Sequence, residues 1–456
     1  MASKLLSNTL QSNVNLTKQF VRPLATAAKQ AAATRTTVLP NGLTIATEEN
    51  ANAGAATVGV WIDAGSRSET AKTNGAANFL EHLAIKSQAS SFEKVGGILN
   101  ARTTREQTFY AAKTLGASAS QSVQILADLI QNPTIDNAAI NSTRNSVLRE
   151  QSKAENDAVQ VVFDHLHATA FQGDSMSRPV AGVKETVEGL TAEDLAAYKK
   201  ENYTASRMVL VGSGDVNHDE LVRAAEKSFG QLESGAPAQF AKPVFTGSEI
   251  RLRDDVLPQA HIAMAVEGAG YLTPDYFKLA VMQALIGSWD KNLGASANLS
   301  SRLSTIVNGN HLANSFASIN MGYKNTGLWG IYFATENKTQ IDDFVHFTQK
   351  EWVRLSTSVT ASEVERAKQQ LQAGLLLTRD STCAVAQDIG SQILAAGKRM
   401  TADELKAAIS KVTLSDVREA ANKYLWDQEV AVVGYGPVEG LTDYNRVRGN
   451  MSYNRF

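Results

Sequence analysis

The chain has 456 residues, 43% hydrophobic and 20% charged, with a formal net charge of −2 and a single cysteine, Cys383. That length exceeds what one core sustains and points to two or more domains, while the near-neutral charge excludes an electrostatic case for nucleic acid. One cysteine excludes an internal disulfide and a cysteine metal cluster, and no run of about 18 apolar residues is present to span a membrane.

From Met1 to Thr47 there is no Asp or Glu, whereas Lys4, Lys18, Arg22, Lys29 and Arg35 are basic. This acid-poor, Ser-, Thr- and Ala-rich start has the composition of a mitochondrial transit peptide, with Leu5, Leu10, Val14 and Phe20 as its apolar side. Residues 1–24 are the expected leader, cut near Arg22-Pro-Leu24 or at a neighbouring point. A merely flexible basic tail is the alternative.

The folded part begins at about Thr36. Leu43–Thr47 and Thr57–Ile62 read as strands from their β-branched and aromatic content, with turns at Pro40-Asn-Gly42 and Asn50–Gly54. A helix over Asn74–Ser87 follows, then two antiparallel strands, Leu99–Arg102 and Thr108–Lys113. Val123, Leu126, Leu129 and Ile130 make the apolar stripe of a helix over Ala119–Ile130. Asn137 to about Phe171 reads as helical throughout, and Met208–Gly212 as a short buried strand.

The stretch Asn78-Phe-Leu-Glu-His82 carries the chemistry. On a helix Asn78 and His82 share one face, with Glu81 beside them. That is the layout of the inverted zinc motif H-x-x-E-H, in which two imidazoles hold the metal and the glutamate activates a water. Here the first histidine is Asn78, and a neutral amide oxygen replaces an imidazole poorly as a zinc donor. Taken alone, Glu81 and His82 are equally well read as ordinary helix residues.

The second half repeats the plan of the first. Thr191 pairs with Thr413 and Gly212 with Gly434, each 222 positions apart (413 − 191 and 434 − 212). Glu249–Arg253 and His261–Val266 resemble the first strand pair, and Thr360–Leu377 the helix around Glu150. The expected architecture is α+β, two homologous domains from an internal duplication, each an antiparallel-rich sheet packed with helices. The domains are expected at 36–230 and 249–456, joined by a linker at 231–248. Where the motif helix should recur, Tyr276–Leu285 offers no His or Glu, so the copy is not expected to be catalytic.

Several blocks together resemble a known family. Asn78-Phe-Leu-Glu-His82, Leu99-Asn-Ala-Arg-Thr-Thr-Arg-Glu-Gln-Thr108, Val147-Leu-Arg-Glu150, Val162–His167, Asn298–Arg302 and Tyr323–Gly330 are similar to the β subunits of the mitochondrial processing peptidase. They are equally similar to the core proteins of the respiratory cytochrome bc1 complex. Gly247–Asp255 and the tail from Asp443 to Phe456 tilt the likeness toward fungal core protein 1. Carried over residue by residue, the resemblance implies a lost first zinc ligand at Asn78, the general base at Glu81, the second ligand at His82 and the distal ligand at Glu150. It also implies a presequence-holding acidic pair at Gln160 and Asp164, one member of which is now neutral. The interval from His82 to Glu150 is shorter than in an active subunit.

On that resemblance, the expected function is that of a structural, non-catalytic core subunit supporting respiratory complex III. It would be peripheral on the matrix side of the mitochondrial inner membrane, with no bound cofactor and with vestigial site positions. Its partners would be core protein 2, cytochrome b, cytochrome c1 and the Rieske protein. The alternative is the β subunit of a zinc endopeptidase that removes presequences.

Overall fold

The computed structural model describes residues 33–293 and 301–453; the expected leader and the residues 298–300 of one family block lie outside them. The first half runs β1 (Arg35–Val38), β2 (Thr44–Glu49), β3 (Ala55–Ile62), α1 (Ala76–Lys94), β4 (Ile98–Thr103), β5 (Thr108–Leu115), α2 (Ala119–Gln131), α3 (Asn137–Ala154), α4 (Ala158–Ala170), α5 (Lys184–Gly189), α6 (Ala192–Asn202), β6 (Met208–Gly214) and α7 (His218–Phe229). The second runs β7 (Glu249–Arg253), β8 (Ala260–Glu267), α8 (Asp275–Ile286), β9 (Ser288–Asp290), α9 (Arg302–Asn310), β10 (Ser315–Gly322), β11 (Gly327–Thr335), α10 (Ile341–Thr357), α11 (Ala361–Leu377), α12 (Thr382–Ala396), α13 (Ala402–Ser410), α14 (Leu414–Tyr424), β12 (Ala431–Gly436) and α15 (Tyr444–Tyr453).

The two sheets have one plan. The first is ordered β1-β2-β6-β3-β5-β4 and the second β7-β12-β8-β11-β10-β9. Each is antiparallel except for one parallel pair, β2 with β6 and β7 with β12. Thr191 and Thr413 each close a capping box at the start of α6 and α14, so the repeated positions are repeated helix starts. The α+β architecture of two duplicated domains is the one observed.

Two expectations need adjusting. The helix expected from Asn137 to Phe171 is two helices, because the Asp157 carboxylate accepts the amides of Val159 and Gln160 and restarts the chain as α4. The motif helix extends past Ser87 to Lys94.

Strand periodicity decides how the halves join. In β3 the side chains of Val58, Val60 and Ile62 face a core shared with Phe79 and Leu83 of α1 and Leu126 of α2, while Trp61 faces the other way. Val209 and Val211 of β6 and Phe109 of β5 share that second face with Trp61. It is covered by α12, from the other half, through Val385, Ala386, Ile389 and Ile393. The second sheet is treated in the same way: Ala263, Ala265, Leu328 and Val433 meet Val162, Leu166 and Ala170 of α4, from the first half. Each half therefore lends one helix to the other's sheet.

A buried polar clasp adds to this exchange. Lys324, in the β10–β11 turn, reaches both oxygens of Asp63 at 2.5 and 2.6 Å. Its backbone amide donates to Glu106 at 3.0 Å, and Glu106 also receives Arg67 at 2.6 Å. Arg67 donates as well to Asn325 and to the carbonyl of Ala241, both at 2.9 Å, and lies over the ring of Phe240.

The closeness of the α12 seat can be tested. A Cβ at Gly390 would stand 2.3–2.7 Å from the Trp61 indole. Gly390→Ala is expected to destabilise the protein by about 1–3 kcal/mol through overpacking, measured by urea denaturation; an unchanged midpoint would show that the seat yields freely.

Candidate active site

Helix α1 brings three of the motif residues together as its period requires. Asn78 and Glu81 are buried, at 9% and 8% exposure, and His82 follows on the same side. The residue before the helix is Gly75, whose φ of 95° disfavours any side chain and where a Cβ would stand tightly, 3.0–3.2 Å from Val187, Gly182 and Ala181. The cap comes from elsewhere. Glu69 accepts the Asn74 side-chain amide, the Gly75 amide and the Ala77 amide, each at 2.8 Å. Nothing in the local spacing singled out Glu69, since ordinary caps sit next to the first turn.

Glu81 receives the Thr103 hydroxyl at 2.6 Å, which ties α1 to the end of β4. Burial raises the pKa of this carboxyl, while the Thr103 hydroxyl and the neighbouring His82 pull it down and the charge of Glu150 adds to the rise. Glu150 is brought in by α3, from 68 residues further along (150 − 82), so that its carboxylate lies 2.9 Å from His82 Nε2. That nitrogen is closed off from solvent and has no aligned hydrogen-bond partner, so the carboxylate is its charge neighbour. The fold thus assembles Glu81, His82 and Glu150 with Asn78 one turn away.

The suggested acidic pair behaves differently. Gln160 is exposed on the first turn of α4. Asp164 is held at 2.9 Å by Arg105, from the β4–β5 turn, so its charge is met within the chain. His165 is half-buried. His167 is wholly buried, its ring bridging the Phe163 carbonyl at 2.7 Å and the Tyr323 hydroxyl at 2.5 Å, and burial drives its pKa well down. It serves packing between the halves.

These residues do not fit a zinc ion as a catalytic site ordinarily holds one. Such a site takes three protein donors drawn from imidazole, thiolate and carboxylate. The arrangement around α1 offers one imidazole and one distal carboxylate, with an amide in the third place. Among the described residues no group of three His, Cys, Asp or Glu is placed to hold a metal ion.

Comparison with known proteins gives the family. Residues 44–184 match the model described as "Insulinase (Peptidase family M16)" and residues 189–371 the one described as "Peptidase M16 inactive domain". A probable mitochondrial-processing peptidase subunit beta of Schizosaccharomyces pombe is 51% identical, covering 97% of this chain and 99% of the relative. The mitochondrial-processing peptidase subunit beta of Lentinula edodes is 49% identical, covering 95% and 96%. Among solved structures, a chain of complex III2 from Candida albicans superposes with a TM-score of 0.87 at 31% identity, covering 92% of this chain and all of that one.

These findings correct two expectations. The reading as a structural, non-catalytic core subunit, and hence as no enzyme, is overturned by 49–51% identity, over 95–97% of the chain, to proteins named as β subunits of a processing peptidase. That reading let one missing donor at Asn78 outweigh the rest of the chain. The fold keeps Glu81, His82 and Glu150 assembled on the same frame. The likeness to complex III is one of structure, at lower identity. The relatives are mitochondrial, and no helix among the described residues is long and apolar enough to cross a membrane. By the family models matched, the architecture and 51% identity over nearly its full length to a relative, the chain belongs to the M16 family of peptidases.

Proposed function

We propose that the chain acts in the mitochondrial matrix as the β-type subunit of a processing peptidase, paired with a homologous α-type subunit and acting on basic targeting segments. The observation that carries this reading is identity of about half the residues, over nearly the whole chain, to subunits of that name. The chain's own chemistry supports it at Glu81. A buried carboxyl with a raised pKa, fixed by Thr103, is suited to take up and return a proton beside a peptide bond. Residues 36–230 would carry the site, 249–456 its companion domain and 231–248 the linker, with residues 1–24 a leader removed on import.

A second reading concerns partners and is compatible with the first. The likeness to a chain of complex III supports peripheral association with that complex on the matrix face of the inner membrane, beside a core protein 2 and near cytochrome b, cytochrome c1 and the Rieske protein. On this reading the chain co-migrates with haem at high molecular weight after mild detergent extraction; migration only as a small heterodimer would remove it.

Activity is tested with the chain co-expressed with an α-type subunit and offered a presequence peptide. Cleavage is expected, with Glu81→Gln lowering it by at least about 100-fold. Absent cleavage, or cleavage indifferent to that substitution, would refute the assignment. The donor shortfall gives a separate expectation: Asn78→His raises zinc affinity by at least about tenfold in competition with a chelating dye. Unaltered affinity would mean that position 78 does not face the His82–Glu150 pair.

A further inference from the structure

Most side-chain helix caps among the described residues are local, although the first amide of α7, His218, donates to Glu49 at the end of β2. Asp136, Asp157, Thr191 and Thr413 each accept a backbone amide two or three residues on. Helix α1 begins at a glycine that has no side chain to offer, and its cap arrives from Glu69, six residues upstream and 4% exposed. The Glu69 carboxylate uses both oxygens at the helix start: Oε2 takes the Gly75 amide and the Asn74 side chain, and Oε1 takes the Ala77 amide. A negative charge there also meets the positive end of the helix dipole.

We infer that Glu69 is a positioning residue: it seats the first turn of α1 and thereby fixes where Glu81 and His82 stand against Thr103 and Glu150. The link runs along the helix, from Ala77 to Glu81 in about one turn. It also crosses a buried tyrosine layer. Burial pushes the Tyr203 phenol upward, the bond with the Tyr110 hydroxyl lowers it, and the charges of Glu81 and Glu69 add to the rise, so that both carboxylates lie near one buried ring. Tyr198, beside it on α6, donates to the Gly65 carbonyl at 3.0 Å and also feels Glu69. Arg178, from the loop before α5, donates to the Glu69 carbonyl and is the cation facing the carboxylate.

The clamp is sensitive to protons. Burial lifts the Glu69 pKa from 4.5 to about 7, and the amides of Ala77 and Gly75, the Asn74 side chain and the Arg178 charge only partly offset it. Once protonated, the carboxyl carries a hydrogen of its own into a ring of donors, and a clamp bond is lost. The whole fold responds with the opposite sign. A raised folded pKa means that this group's contribution to stability is complete below 4.5 and is lost as pH rises through about 7. Loosening confined to the first turn, opposite in sign to this group's own contribution to global stability, is therefore the signature.

Hydrogen exchange by mass spectrometry on the purified full chain reads this without a cleavage assay. In Glu69→Gln, exchange across residues 75–82 is expected to accelerate about tenfold at about pH 8, with β3 and β6 unchanged. Wild type, corrected for intrinsic rates, shows the same local acceleration as pH falls through about 7. If Glu69→Gln does not fold, the wild-type series decides alone. The kinetic arm rests on the proposed peptidase function: kcat of Glu69→Gln falls about tenfold with KM unchanged. Unchanged exchange in both arms, or acceleration spread over the whole first sheet, overturns the inference. Absent wild-type cleavage would overturn the peptidase assignment and leave the exchange result standing.

Discussion

A central strand that is apolar on both faces needs two covers, and the fold depends on where the second cover comes from. β3 and β6 are buried along almost their whole length. Their own domain supplies α1, α2, α6 and α7 to one face, and the other face is left for α12. The reciprocal loan of α4 to the second sheet makes the two halves one body from Thr34 onward. The site inherits this rigidity. Glu81 is tied to β4 by Thr103, and the turn after β4 carries Arg105 and Glu106 into contacts with Asp164 and Lys324.

Charge near the site is managed by burial and local pairing. Glu69, Glu81 and Glu106 are each less than 9% exposed, and burial raises the pKa of all three. They are satisfied in different ways: by backbone and side-chain amides at Glu69, by a hydroxyl at Glu81 and by a guanidinium at Glu106. Breaking a buried pair such as Arg67–Glu106 would strand a charge at a cost of about 3–5 kcal/mol. Position 82 sits at the edge of this region, its ring partly accessible and its distal partner Glu150 largely exposed.

Much of this was legible in the residues. The spacing of Asn78, Glu81 and His82 gave one helix face, and the 222-residue offset of Thr191 and Thr413 marked equivalent helix starts. The β-branched and aromatic content of Thr57–Ile62 found a strand, but not that both of its faces are covered, because the second cover lies more than 300 residues away in α12. The Glu69 cap was hidden for a similar reason: capping rules look at the residue beside the first turn, and here that residue is a glycine. Asp164 could be placed on a helix, yet its engagement by Arg105 depends on a turn 59 residues earlier. Function was misread where a single ligand position was given more weight than the chain around it.

The exchange of α4 and α12 also sets the order in which the chain can complete itself. A nascent first half has α1 to α7 and all six strands of its sheet, yet Trp61, Phe109 and Val211 stay uncovered until residues near Ile393 have left the ribosome. For most of synthesis, the face that will be sealed is a wide apolar surface beside strand edges able to pair with other chains. Folding only once the whole chain is available suits such a polypeptide better than domain-by-domain assembly.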